Sequence, residues 1–161
     1  MKLRKIITLI LIISMMIIIF MFSSQNGTSS SGLSSKFSNI FIDIFIRKYD
    51  TYSLSRQKEI FSNVSYGIRK LAHMTEYGIL GSLVFLFLFG IKMRYRIIFS
   101  ISFCFIYAST DELHQRFVGG RSGQFKDVMI DTLGAIIFVL TFSLVVLIFK
   151  KRKLRKLNKF N

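Results

Sequence analysis

Arg69, His73, Glu76 and Leu80 recur at i, i+4, i+7 and i+11, so a helix carries all four on one face, with Tyr77 beside Glu76. In a second segment Asp111, His114 and Gln115 share a face, and Glu112 and Arg116 form an adjacent i,i+4 pair. In a third, Asp127 and Asp131 again stand four apart, with Gly134 close to their face, where it would let a neighbouring helix approach. Between the second and third lies a glycine-rich turn, Gly119-Gly120-Arg121-Ser122-Gly123, that presents one arginine. The guanidinium groups of Arg69 and Arg121 suit an anionic ligand. His73 and His114, the chain's two histidines, each lie one turn from a carboxylate, and imidazole is the side-chain type best suited to acid–base chemistry near neutral pH.

Other site chemistries fit less well. His73-x-x-Glu76 and Asp111-x-x-His114 each place two metal-ligand types on one face, but di-iron bundles use Glu-x-x-His twice plus two further carboxylates. Only the Asp111 pair runs acid-first, so neither a metal nor any other cofactor is expected. The sequence has no Gly-x-Ser-x-Gly elbow, phosphate loop or His-Glu-x-x-His. The competing structural reading is that these charges pair with each other and snorkel to an interface. It weighs most on Lys70, Glu112, Arg116 and Asp131.

The surrounding elements are those of a membrane protein. Apolar residues come in blocks, and spans of about twenty such residues are expected at 6–22, 70–90, 97–115 and 127–149. The first follows Lys2, Arg4 and Lys5 and has no small-x-small cleavage site after it, so it reads as an uncleaved anchor. Ser23–Ser35 is Ser/Gly-rich and reads as a flexible linker. Phe37, Ile40, Phe41, Ile44 and Phe45 then predict an amphipathic helix at the membrane surface or capping the bundle. A second amphipathic stretch, Leu54, Phe61, Val64, Ile68 and Leu71, leads into the next span, with Gly67 as a candidate break. The expected fold is all-α: residues 1–161 as one polytopic domain, with four transmembrane helices and amphipathic helices between the first two.

Charge placement sets orientation. The net charge of +15 comes from 23 Lys and Arg against 8 Asp and Glu. More than half of the basic residues sit at the N-terminus, in Lys92–Arg96, or in the tail that starts at Lys150. These fall on one side only if four spans leave both termini in the cytoplasm. The tail abuts an apolar block without aromatic interleaving, which fits anionic lipid headgroups and argues against nucleic acid. A carboxylate at mid-membrane costs about 2.5–3.5 kcal/mol, so the acids must face each other or water. The predicted topology gathers them at the outer end, in a polar pocket open to the cell surface. Cys104, the only cysteine, lies in an apolar run and reads as a packed or lipid-facing thiol.

Arg69-Lys-x-Ala-His73-x-x-Glu-Tyr77, Asp111-Glu112-x-His114-Gln115-x-Phe117, Gly120-Arg121-x-Gly and Asp127-Val-x-x-x-Thr-x-Gly134, in that order, resemble the VanZ-like family. Phe22-Ser-Ser-Gln25 is also similar. Two positions depart from the family pattern: Gly119 stands where a proline is usual, and Asp131 where asparagine is frequent. The resemblance implies a small multi-span bacterial membrane protein, and its founding member is tied to lowered susceptibility to teicoplanin. It supplies no reaction. The functional expectation is a membrane protein that acts on, or shields, an anionic cell-surface or lipid-linked ligand. The alternatives are a membrane-embedded hydrolase or transferase on a lipid-linked envelope substrate, and a non-catalytic scaffold or transporter subunit. Four spans are few for a transporter, so that version requires an oligomer.

Overall fold

The computed structural model describes residues 2–24, 27–119 and 123–157. Five α-helices run in order: α1 (Lys2–Ser23), α2 (Gly27–Phe45), α3 (Leu54–Phe87), α4 (Met93–Gln115) and α5 (Phe125–Leu157), with a short 3-10 turn at Tyr49–Thr51. There is no β-strand among the described residues. The all-α expectation holds. Two helices, Lys2–Ser23 and Phe125–Arg152, are long and apolar enough to cross a membrane. The α3 and α4 segments carry the Arg, Lys, His, Asp and Glu side chains noted above, and that content keeps them from the same standard.

Three expectations need correction. Most of the Ser/Gly stretch is helical: α2 begins at Gly27, and its serines let it lie close against α3. Ser34, Ser38 and Ile42 form its buried stripe, and the Ser65 hydroxyl of α3 donates to Ser34 Oγ at 3.2 Å. Gly67 does not interrupt α3, which runs unbroken for 34 residues, and nothing lies within 4 Å of that position. The basic loop is not a loop throughout. The α3–α4 joint is Leu88–Lys92, turned by Gly90 at φ 110°, and Arg94 and Arg96 already belong to α4.

α3 and α5 form the main contact, with α4 across both and α1 leaning chiefly on α3. Small residues set the spacing. A Cβ on Gly134 would overlap the backbone of Met74, and one on Gly78 would enter the Phe138 ring. The Gly134 expectation of close approach is thus met by α3. Lower down, Phe85 meets Phe142 edge-on with ring centroids 6.0 Å apart. Residues 74, 78 and 85 of α3 therefore match 134, 138 and 142 of α5, and the two helices run parallel. Tyr77, Leu80, Cys104, Ala108 and Ala135 fill the centre with no exposure at all. Cys104 is a packed thiol, donating to Tyr77 O at 3.7 Å.

Candidate functional site

This register places the polar ends of α3, α4 and α5 side by side. Lys70 Nζ reaches Asp127 Oδ2 at 2.5 Å, tying α3 to the start of α5. One turn on, His73 Nδ1 lies 3.3 Å from Glu76 Oε2, within ion-pair distance, and both side chains are under one-fifth exposed. Asp131, 3% exposed, stands within electrostatic reach of His73, Lys70, Glu112 and Asp111. From α4, Asp111, Glu112 and Gln115 turn inward and are as deeply buried. Gln115 Nε2 donates to Asp111 Oδ2 at 3.1 Å and to Glu112 Oε1 at 3.2 Å, so one amide holds both carboxylates.

Glu112 also accepts the backbone N–H of Gln124 at 3.0 Å, just before α5 begins. A carboxylate there satisfies a donor at the helix entrance and faces the positive end of its dipole. That role displaces the expected Glu112–Arg116 pair. Arg116 instead turns to the surface and donates to Gly123 O at 3.4 Å. Gly123 is where the turn presses on α4, since a Cβ on it would overlap the Glu112 carbonyl. Arg121 lies outside the described residues.

Not every expected residue joins. Arg69, His73, Glu76, Tyr77, Asp111, Glu112, Gln115 and Asp127 gather at one end of α3, α4 and α5. His114 faces away, toward α1: its Nε2 lies 3.3 Å from Ser24 Oγ, and its ring packs 4.8 Å from that of Phe20. Of the four residues on which the interfacial reading weighed most, Lys70, Glu112 and Asp131 sit inside the cluster instead. For Lys70 and Asp131 the signal was available, because Lys70 falls on the His73–Tyr77 face and Asp131 is one turn from Asp127.

The cluster is largely closed to solvent, and not all of its polar atoms are satisfied. Tyr77 Oη, wholly buried, and Asp127 Oδ1 have no hydrogen-bond partner among the described residues, and neither does Arg69 Nε. Arg69 is half-buried and makes no ion pair among the described residues, whereas its neighbour Lys70 is neutralised. A guanidinium in that position is a ready donor pair for an anion. No group of three or more His, Cys, Asp or Glu among the described residues has the geometry of a metal site.

The model of the VanZ/LLP1 family matches residues 8–148. The chain belongs to that family. Its matched region takes in most of α1 and every residue of the cluster, so the arrangement lies within the family domain and not in an appended segment. Together with the two apolar helices, VanZ/LLP1 membership supports a membrane protein. No curated protein and no solved structure matches the chain.

Proposed function

We propose that this VanZ/LLP1 protein crosses the membrane four times, through α1, α3, α4 and α5, with both termini in the cytoplasm and the polar cluster at the outer face. There it binds an anionic group of a cell-surface or lipid-linked ligand and lowers susceptibility to glycopeptide antibiotics such as teicoplanin. The observation that carries the reading is Arg69, a half-buried guanidinium with no ion-pair partner among the described residues, at the edge of a cluster of acids, imidazole and phenol. An arginine left without a counter-charge near an apolar core is costly unless a ligand supplies one. Tyr77 Oη and His73 would accept or donate to the ligand's remaining polar atoms.

Two experiments test this. In cells carrying the protein, Arg69→Ala should abolish glycopeptide tolerance at unchanged membrane abundance, and Arg69→Lys should restore only part of it. Tolerance retained in Arg69→Ala sinks the proposal. Orientation is tested in a Cys104→Ala background. An impermeant thiol reagent should label Arg116→Cys and spare Lys92→Cys in intact cells.

One observation favours a second reading, that the cluster performs acid–base chemistry on the ligand: His73 and Glu76 lie 3.3 Å apart on one turn. Purified protein in lipid, offered lipid-linked wall precursors, would then show turnover that His73→Ala removes. Ligand binding without turnover leaves the first reading standing and rejects this one.

A further inference from the structure

A large apolar cavity lies at the other end of the bundle. Its volume is about 690 Å³, and it is lined by α1, α4 and the end of α3 with the joint that follows. Leu9, Ile12 and Ile13 of α1 face Phe99, Phe103 and Ile106 of α4 across it, with the last residues of α3 as its back wall. The gap has a structural cause. Among the described residues, the polar and ring contacts between α1 and α4 lie in the half nearer the polar cluster, where Tyr107 Oη donates to Met16 O at 2.7 Å and His114 meets Ser24 and Phe20. Below that tie the cavity lies between the two helices, with Met16 and Ile106 at its upper end.

The lower end is rimmed by charge of one sign. Arg4 lies one turn before Thr8 and two before Ile12, on the groove's face, and its guanidinium sits 4.2 Å from the centre of the Phe89 ring. Arg96 stands at 5.2 Å from the same ring, and Nε and Nη2 of its guanidinium both donate to Phe85 O. Exposed Lys92 follows directly on groove-lining Ile91, and exposed Arg94 comes two residues later. None of the chain's 8 Asp and Glu lies in residues 2–16, 84–106 or 139–157, the stretches that form this end. From Leu9 to Met16, and again from Phe99 to Ile106, the groove runs seven residues. That is about 10 Å at 1.5 Å per residue, which stays within one leaflet of a hydrocarbon core about 30 Å thick.

We propose that this groove seats an acyl chain of an anionic phospholipid, drawn from the leaflet that the basic end faces, with its phosphate held at Arg4 beside Lys92 and Arg94. Shape selects the chain and charge selects the headgroup. Arg4, Lys92 and Arg94 are exposed at this end with no Asp or Glu among the described residues there, and a lipid phosphate can supply their counter-charge. The apolar walls exclude a soluble anion as the whole occupant. The assignment does not depend on what the polar cluster binds.

The test uses full-length protein, delipidated in detergent and titrated with phosphatidylglycerol or phosphatidylcholine under native mass spectrometry. One phosphatidylglycerol should bind in clear preference to phosphatidylcholine. Arg4→Gln should weaken that preference about fivefold, the contribution of one basic side chain at an anionic lipid surface. Ser102→Trp, which fills the groove from α4, should remove the bound lipid altogether, while Arg56→Gln on the far part of α3 changes nothing. Equal binding of the two lipids, or phosphatidylglycerol retained by both Arg4→Gln and a monodisperse Ser102→Trp, overturns the proposal. So does a dimer that carries no lipid and that Ser102→Trp dissociates, because the occupant would then be a second copy of the chain.

Discussion

At the Arg69 end of the bundle, charges of both signs are packed together and mostly hidden: Lys70 against Asp127, His73 against Glu76, and Asp111 and Glu112 on one glutamine amide. At the Arg4 end, Lys2, Arg4, Lys5, Lys92, Arg94 and the start of the tail are exposed and all positive, and the one basic residue that is buried, Arg96, is held by a backbone carbonyl and two aromatic rings. The difference teaches how each end is neutralised. Mixed charge can be buried where opposite groups meet inside the chain, as Lys70 and Asp127 do, at a desolvation cost that good pairing offsets, while Arg69 makes no ion pair among the described residues. Like charge cannot, so it is left to water and to whatever anions the surroundings supply. One end depends on internal geometry and the other on its environment.

That comparison can be broken most sharply at the α3–α5 contact that makes the polar end. Gly134→Val drives a side chain into the Met74 backbone and should exceed the about 1–3 kcal/mol of ordinary overpacking, abolishing the monodisperse peak in size-exclusion chromatography. Gly67→Ala, where nothing lies within 4 Å, should instead raise the melting temperature, by helix propensity worth about 1 kcal/mol. Next in size, Asp127→Ala strands Lys70 with a side chain only 17% exposed and should cost about 3 kcal/mol in thermal unfolding. The double change Lys70→Met with Asp127→Leu should recover most of that loss. Smallest, Glu59→Ala breaks the exposed Arg56–Glu59 pair and should cost no more than about 0.5 kcal/mol. If the two ion pairs prove equal, the distinction between a packed polar end and a solvated surface fails.

The inward face of α3 was legible in the sequence because Arg69, His73, Glu76 and Leu80 keep a helical period, and Gly134 marked the close approach. Other features depended on which helix lies next to which, and a one-dimensional pattern does not carry that. His114 stands about 60° around α4 from Asp111 at 3.6 residues per turn, enough to hand it to α1. Arg96 read as one of three basic residues in a connection, yet it folds back onto the end of α3, because the free Phe85 carbonyl needed a donor. The Ser/Gly stretch looked like a linker by composition, but serines lose little when a partner helix lies close enough to bury them. Lys70 and Asp131 were discounted one at a time, and only the α3–α5 register shows them facing a common centre.

α3 is 34 residues long, about 51 Å at 1.5 Å per residue, against a hydrocarbon core of about 30 Å. In the four-span arrangement its first half therefore projects well clear of the acyl region, and α2 is fastened to that projection where Ser34 meets Ser65. Ser65 lies two turns before His73, so this contact stands about 12 Å along α3 from the cluster. The outer side of α2 offers Phe37, Ile40, Phe41, Ile44 and Phe45 to the surroundings. An amphiphile can rest its oily body there while its head reaches Arg69, and a small hydrophilic ion gains nothing from it.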